Sequence, residues 1–186
     1  MAASILYESA SDMYNRFAGG RERALALLRD ALPVPGNSAS AEVVTLAELE
    51  GRVAGAMAAF PVDEAGSRAR AFLRLTLRSL PLERWPAALR LFWAGARAAP
   101  APREQSLYVD ALAVEVSLRR RGVAQALLAD AEERAQRAGL SALSLDTSLD
   151  NNAARALYAS AGFDEVAYRP PGRRLPGFVA LVKRLA

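Results

Sequence analysis

Neither cysteine nor histidine occurs in the 186 residues. That double absence removes thiol nucleophiles, disulfides, Cys/His zinc sites, imidazole bases and every Ser-His-Asp triad. Lysine occurs once, as Lys183 near the end of the chain on what reads as a strand, which argues against a Schiff-base enzyme. No Gly-Lys pair exists, so the G-x-x-x-x-G-K-[ST] phosphate loop is excluded as well. Acid-base chemistry is left to Asp, Glu, Tyr, the termini and water. Arginine interrupts every Ala/Leu-rich segment, so no run reaches the roughly 20 apolar residues that span a bilayer. The opening MAASILYESASDMYNRF lacks the apolar run of an export signal. These absences, with the lack of cysteine, lead us to expect a soluble cytoplasmic protein without a metal or membrane partner.

What is present is apolar. Hydrophobic residues make up 52% and the formal net charge is only +4, so the chain is expected to form one globular domain over residues 1–186. The basic excess is nearly all arginine. From Ser4 to Leu32 the apolar spacing predicts two helices broken at Gly19-Gly20. Glu42 to Leu46 and Arg52 to Phe60 read as a hairpin joined through Glu48-Leu49-Glu50-Gly51. The segment from Ala65 to Arg103 reads as a helical, arginine-rich insert. There Trp85, Ala88, Leu89, Phe92, Trp93 and Ala96 share one helical face. Two readings of it stand: a core-facing helix with solvated arginines or an interface of a homodimer, and a basic wall that attracts an anionic ligand.

After Pro100-Ala101-Pro102 the pattern becomes strand (Leu107 to Val114), helix (Val123 to Ala138), strand (Ala142 to Asp146) and helix (Asn152 to Ser160). Two strands follow, Phe163 to Tyr168 and Phe178 to Leu185. Arg119-Arg120-Arg121-Gly122 lies between the first of these strands and its helix. Main-chain N–H groups at a helix N-terminus have no intrahelical partner, and the dipole there is positive, so this segment suits a phosphate. Taken alone, it is equally a solvated basic patch.

Arg119-x-x-Gly122-x-Ala124 after a strand, followed by Asn151-x-x-Ala154-x-x-Leu157-Tyr158-x-x-x-Gly162-Phe163, resembles the GNAT-type N-acetyltransferase superfamily. The resemblance runs from Leu107 to Phe163 and extends in outline to the hairpin before it and the strands after it. It implies an α/β (α+β) fold with a mixed, mostly antiparallel sheet, flanking helices and a V-shaped splay between central strands. It also implies acetyl-CoA as co-substrate and direct transfer to an amine of a small molecule, peptide or protein. Arg119, Arg120, Arg121, Gly122, Val123, Ala124 and Gln125 then hold the pyrophosphate. Main-chain groups of Leu112, Ala113 and Val114, with Asn151, take the pantetheine arm, and Tyr158 sits near the sulfur as proton donor. The chain departs from the family in opening on helical spacing where a strand is usual, and in carrying Arg-Arg-Arg-Gly in place of Arg-Gly-x-Gly.

The base must be a carboxylate or water. Strand alternation puts Tyr108, Asp110, Leu112 and Val114 on one face, which makes Asp110 the first candidate and Glu115 the second. A non-catalytic acyl-CoA-binding regulatory module is the alternative function. A nucleic-acid-binding protein using the arginine-rich insert ranks last, because no reading motif or stacking array accompanies the charge.

Overall fold

The computed structural model describes residues 1–98, 100, 102–172 and 175–185. Three helices open the chain: α1 (Ala2–Ser9), α2 (Ser11–Ala18) and α3 (Arg21–Ala31). The extra break falls at Ala10, whose φ of −153° and ψ of 49° are not helical; no glycine or proline marks it. A buried Asn37 then organises the loop, donating to Ala31 O at 2.8 Å and Val34 O at 2.6 Å and accepting from Ala39 N at 2.8 Å. Strands β1 (Val44–Leu49) and β2 (Arg52–Pro61) form an antiparallel hairpin. The first runs further than expected, to Leu49, because the turn is only Glu50-Gly51, both with positive φ (54° and 70°). That pair of left-handed residues is what a two-residue type I′ hairpin requires.

Helices α4 (Ala65–Ser79) and α5 (Trp85–Ala98) make up the arginine-rich segment. Of the apolar face expected on α5, only Ala88 is fully buried, and Trp93 is 52% exposed. A helix packed by α2 and α4 covers less of its stripe than one lying on a sheet. Next come β3 (Ser106–Val114), α6 (Val123–Arg137), β4 (Ala142–Ser148), α7 (Asn152–Ser160), β5 (Asp164–Arg169) and β6 (Phe178–Arg184). Among the described residues no helix is long and apolar enough to cross a membrane.

The six strands form one sheet in the order β1-β2-β3-β4-β6-β5, antiparallel throughout except for β3 and β4. Helix α6 crosses one face over a core of Met57, Leu107, Val109, Leu127, Leu128, Leu143 and Leu181; α1 covers the other over Ile5, Leu6, Ala56, Ala58 and Phe60. Central strand β2 carries small side chains, so helices approach closely on both faces. A Cβ on Gly55 would stand 2.8 Å from Val123 Cγ1 and 3.2 Å from Ala113 O. Overpacking of that kind costs about 1–3 kcal/mol. Gly55→Val is therefore expected to lower unfolding stability by that order in a urea titration; an unchanged midpoint would show that α6 moves away freely.

Candidate active site

Strands β3 and β4 pair over three steps only, Ser106 with Ala142, Leu107 with Leu143 and Tyr108 with Ser144, and then diverge. Two side-chain bridges hold the base of the V. Ser106 Oγ and Ser144 Oγ are 2.6 Å apart in a buried contact, and the Tyr108 hydroxyl donates to Asp146 Oδ1. Beyond that point the edge of β3 facing β4 has main-chain N–H and C=O groups without a strand partner, a feature that elsewhere in a core is costly. Here they open on a cleft of about 590 Å³ lined by Leu112, Ala113 and Val114 of β3, the first turn of α6, and α7.

The divergence coincides with a bulge. Ala58 on β2 faces Ala111 while Ala59 faces Val109, so Asp110 has no partner on β2. One extra residue reverses a period of two. Leu107 and Val109 belong to the α6-side core and Tyr108 to the opposite one, whereas past the bulge Leu112 and Val114 turn to the α6 side and Ala111 and Ala113 to the other. The expected single face of Tyr108, Asp110, Leu112 and Val114 is thus corrected: Tyr108 and Leu112 lie on opposite faces, and Asp110 stands at the switch.

Helix α6 presents its N-terminus to the cleft. Gly122, at φ +80°, caps it, and Arg120 is also left-handed at φ 63°. The first helical hydrogen bond runs from Ala126 N to Gly122 O at 3.0 Å, so the N–H groups of Val123, Ala124 and Gln125 remain for a ligand. A Cβ on Gly122 would meet nothing within 4 Å, so the glycine answers to backbone conformation and not to crowding. Arg119, Arg120, Gly122, Val123, Ala124 and Gln125 all line the cleft. Arg119 also donates through Nε to Val114 O at 3.2 Å, tying the loop to β3. Arg121 points elsewhere, into an ion pair with Glu50 on the hairpin turn.

Helix α7 forms the far wall. Asn151 is its N-cap, accepting from Ala154 N at 3.1 Å, and it lines the cleft. Tyr158 lies seven residues on, two helical turns, and so shares that face. Arg155 fixes the helix by a two-armed contact to Glu165 on β5, at 2.7 and 3.1 Å. The Tyr158 ring packs on Phe163 with centroids 5.7 Å apart. The residue is only 7% exposed, and its hydroxyl has no hydrogen-bond partner among the described residues. Burial, then the charge of Asp146, pushes its pKa up to about 12, so near neutrality the phenol keeps its proton.

Asp110 is exposed, yet its pKa is pushed up to about 7, first by loss of hydration and then by Asp146. Burial likewise raises Asp146, against the opposing hydrogen bond from Tyr108. Glu115 differs. Hydrogen bonds from Ser117, first its side chain, hold its carboxyl below the usual range, and it caps the short turn at Val116–Leu118. That environment favours Asp110 over Glu115 as a proton acceptor near neutral pH.

Sequence reasoning missed Asp146, gave Tyr108 no role, and did not bring Glu8 and Ser9 to the cleft or Tyr14 towards Asp110. Only the pairing of Tyr108 with Ser144 reveals that Asp110 and Asp146 are equivalent positions on the two strands. Helices α4 and α5 do not line the cleft; Phe72 of α4 packs edge-on to Tyr14 of α2 at 6.4 Å.

Comparison with known proteins places this architecture. The model of the acetyltransferase (GNAT) family matches residues 6–163. An N-acetyltransferase from Staphylococcus aureus Mu50 superposes at TM-score 0.73 with 20% identity, over 97% of this chain and 92% of that one. A crystal structure of an acetyltransferase superposes at TM-score 0.66 with 21% identity, over 100% and 93%. Ard1 from Thermoplasma volcanium does so at 0.57 with 15% identity, over 100% and 92%. At these identities the likeness is one of fold. No curated protein matches the chain.

Proposed function

We propose that this chain, which belongs to the acetyltransferase (GNAT) family, transfers an acetyl group from acetyl-CoA directly to a primary amine. One observation carries the reading. A single cleft joins the N-terminus of α6, the unpaired edge of β3 and the partnerless hydroxyl of Tyr158. In this account the pyrophosphate lies on the N–H groups of Val123 to Gln125, with Arg119 and Arg120 beside it. The peptide-like pantetheine arm runs along Leu112 to Val114 towards Asn151 and Tyr158. Arg121 supports this site through the loop backbone, its side chain being paired with Glu50.

The amine approaches from the Asp110 side. As an ammonium it gives one proton to the Asp110 carboxylate, and its nitrogen then forms a bond to the thioester carbonyl carbon. Main-chain N–H groups of β3 stabilise the oxyanion. The carbon–sulfur bond breaks, its electron pair stays on sulfur, and the thiolate takes the Tyr158 proton. The nitrogen's second proton passes through water to the Tyr158 phenolate, leaving a neutral amide, and the proton on Asp110 goes to solvent. With no cysteine in the chain, no acyl-cysteine intermediate can form.

A mass-spectrometric screen of a broad amine and peptide library with acetyl-CoA tests the reading. The expected result is N-acetylated product at a rate above the uncatalysed background. Binding of acetyl-CoA with no product from any acceptor would favour a regulatory acyl-CoA-binding module instead.

A further inference from the structure

Beyond their last paired step, the two splayed strands set matching carboxylates against each other. Tyr108 faces Ser144, so Asp110 and Asp146 stand two residues further along their strands, on either side of the gap. Tyr108 reaches across to donate its hydroxyl to Asp146. From α2, Tyr14 approaches the same place closely enough for the Asp110 charge to act on its phenol. The ion pairs of Arg21, Arg68, Arg121, Arg134, Arg155 and Lys183 all go to other carboxylates. A second, separate feature is Tyr158, a residue more than nine-tenths buried whose hydroxyl has no partner among the described residues and lies within electrostatic reach of Asp146. Two carboxylates set beside three phenol rings are the complement of an ammonium group, through charge and through the ring faces.

We propose that Asp146, held by Tyr108 and facing Asp110, forms the subsite for the acceptor's ammonium group and selects primary amines that bear no carboxylate on the neighbouring carbon. This rests on the acetyl-transfer reading above and names its acceptor class. An ammonium between the aspartates relieves their mutual repulsion. A carboxylate one carbon away brings a third negative charge beside these two, so free α-amino acids are rejected while their amides and simple alkylamines are admitted.

Three probes with one skeleton test it: phenethylamine, phenylalaninamide and phenylalanine. In carbon-13-labelled wild-type protein loaded with CoA, the first two are expected to move the side-chain carboxyl NMR signals of Asp110 and Asp146. Their acetylation should show kcat/KM at least roughly tenfold above that of phenylalanine, the scale of one adverse charge. Asp146→Asn keeps an acceptor for Tyr108. It should raise KM for phenethylamine by roughly tenfold or more and narrow the preference over phenylalanine. Parity among the probes, or an Asp146→Asn enzyme with unchanged KM and unchanged preference, would overturn the assignment. So would wild-type protein that binds acetyl-CoA while no probe moves either signal. Failure to bind acetyl-CoA at all would instead overturn the acetyl-transfer reading, which keeps the two failures apart.

Discussion

Tyr158→Phe is expected to lower kcat by roughly 10²- to 10⁴-fold, the usual worth of a positioned general acid, while acetyl-CoA Kd stays nearly unchanged. The substitution removes one oxygen and keeps the ring that packs on Phe163 at 5.7 Å. The hydroxyl has no structural partner among the described residues, so its loss leaves no buried group unsatisfied and the fold is not expected to weaken. Burial pushes the phenol up to about 12, which keeps it protonated over the neutral range and able to donate to a departing thiolate. The check is pre-steady-state measurement of the transfer step with an acceptor found in the screen. Full kcat under conditions where chemistry limits turnover would reassign Tyr158 to packing and the proton to water or the acceptor ammonium.

The second large effect concerns Asp110. With its pKa pushed up to about 7, the wild-type kcat/KM should rise with pH through an ascending limb centred near 7 as the carboxylate forms. Asp110→Asn should remove that limb and reduce the plateau by roughly 10²- to 10⁴-fold. Stability should move the opposite way. A carboxyl whose pKa is raised by folding binds its proton more tightly in the folded state. Its stabilising contribution is therefore present below the ordinary carboxylate pKa and is lost as pH rises through about 7. Asparagine carries no charge at any pH, so above pH 7 the variant should gain stability relative to wild type. A pH profile that keeps its ascending limb in Asp110→Asn would assign the limb to another group and leave water as the base.

Much of the second half of the chain is legible in its sequence because local signals agree there. Gly139 and Gly162, both with positive φ, end α6 and α7 where the pattern stops. Asn151 caps where a cap is written, and Arg119-x-x-Gly122-x-Ala124 falls at the strand-to-helix junction that makes it a ligand loop. The less legible features are long-range or depend on a single residue. The bulge at Asp110 reverses the faces of β3 without any composition signal, since alternation counts positions and not partners. The pairing of Tyr108 with Asp146 spans 38 residues and exists only through the register of β3 on β4. Arg121 resembles its two neighbours in sequence, yet the hairpin turn at Glu50 draws it away from the cleft. The break at Ala10, where α1 leaves the sheet, and the half-exposed apolar face of α5, which has no sheet beneath it, are likewise decided by packing that overrides periodicity.

Acetyl-CoA is expected to bind where α6 begins, and calorimetric titration of acetyl-CoA into wild-type protein and Ala124→Glu is the decisive check. Ala124 lines the cleft in the first turn of α6. A glutamate in a first turn favours the helix dipole, so the fold is expected to persist, while its charge opposes the pyrophosphate. Saturable binding to wild type is expected, with affinity weaker by roughly tenfold or more in Ala124→Glu and matching circular dichroism spectra. Equal affinity in the two proteins, or no binding to wild type, would show that the start of α6 is not the acetyl-CoA site.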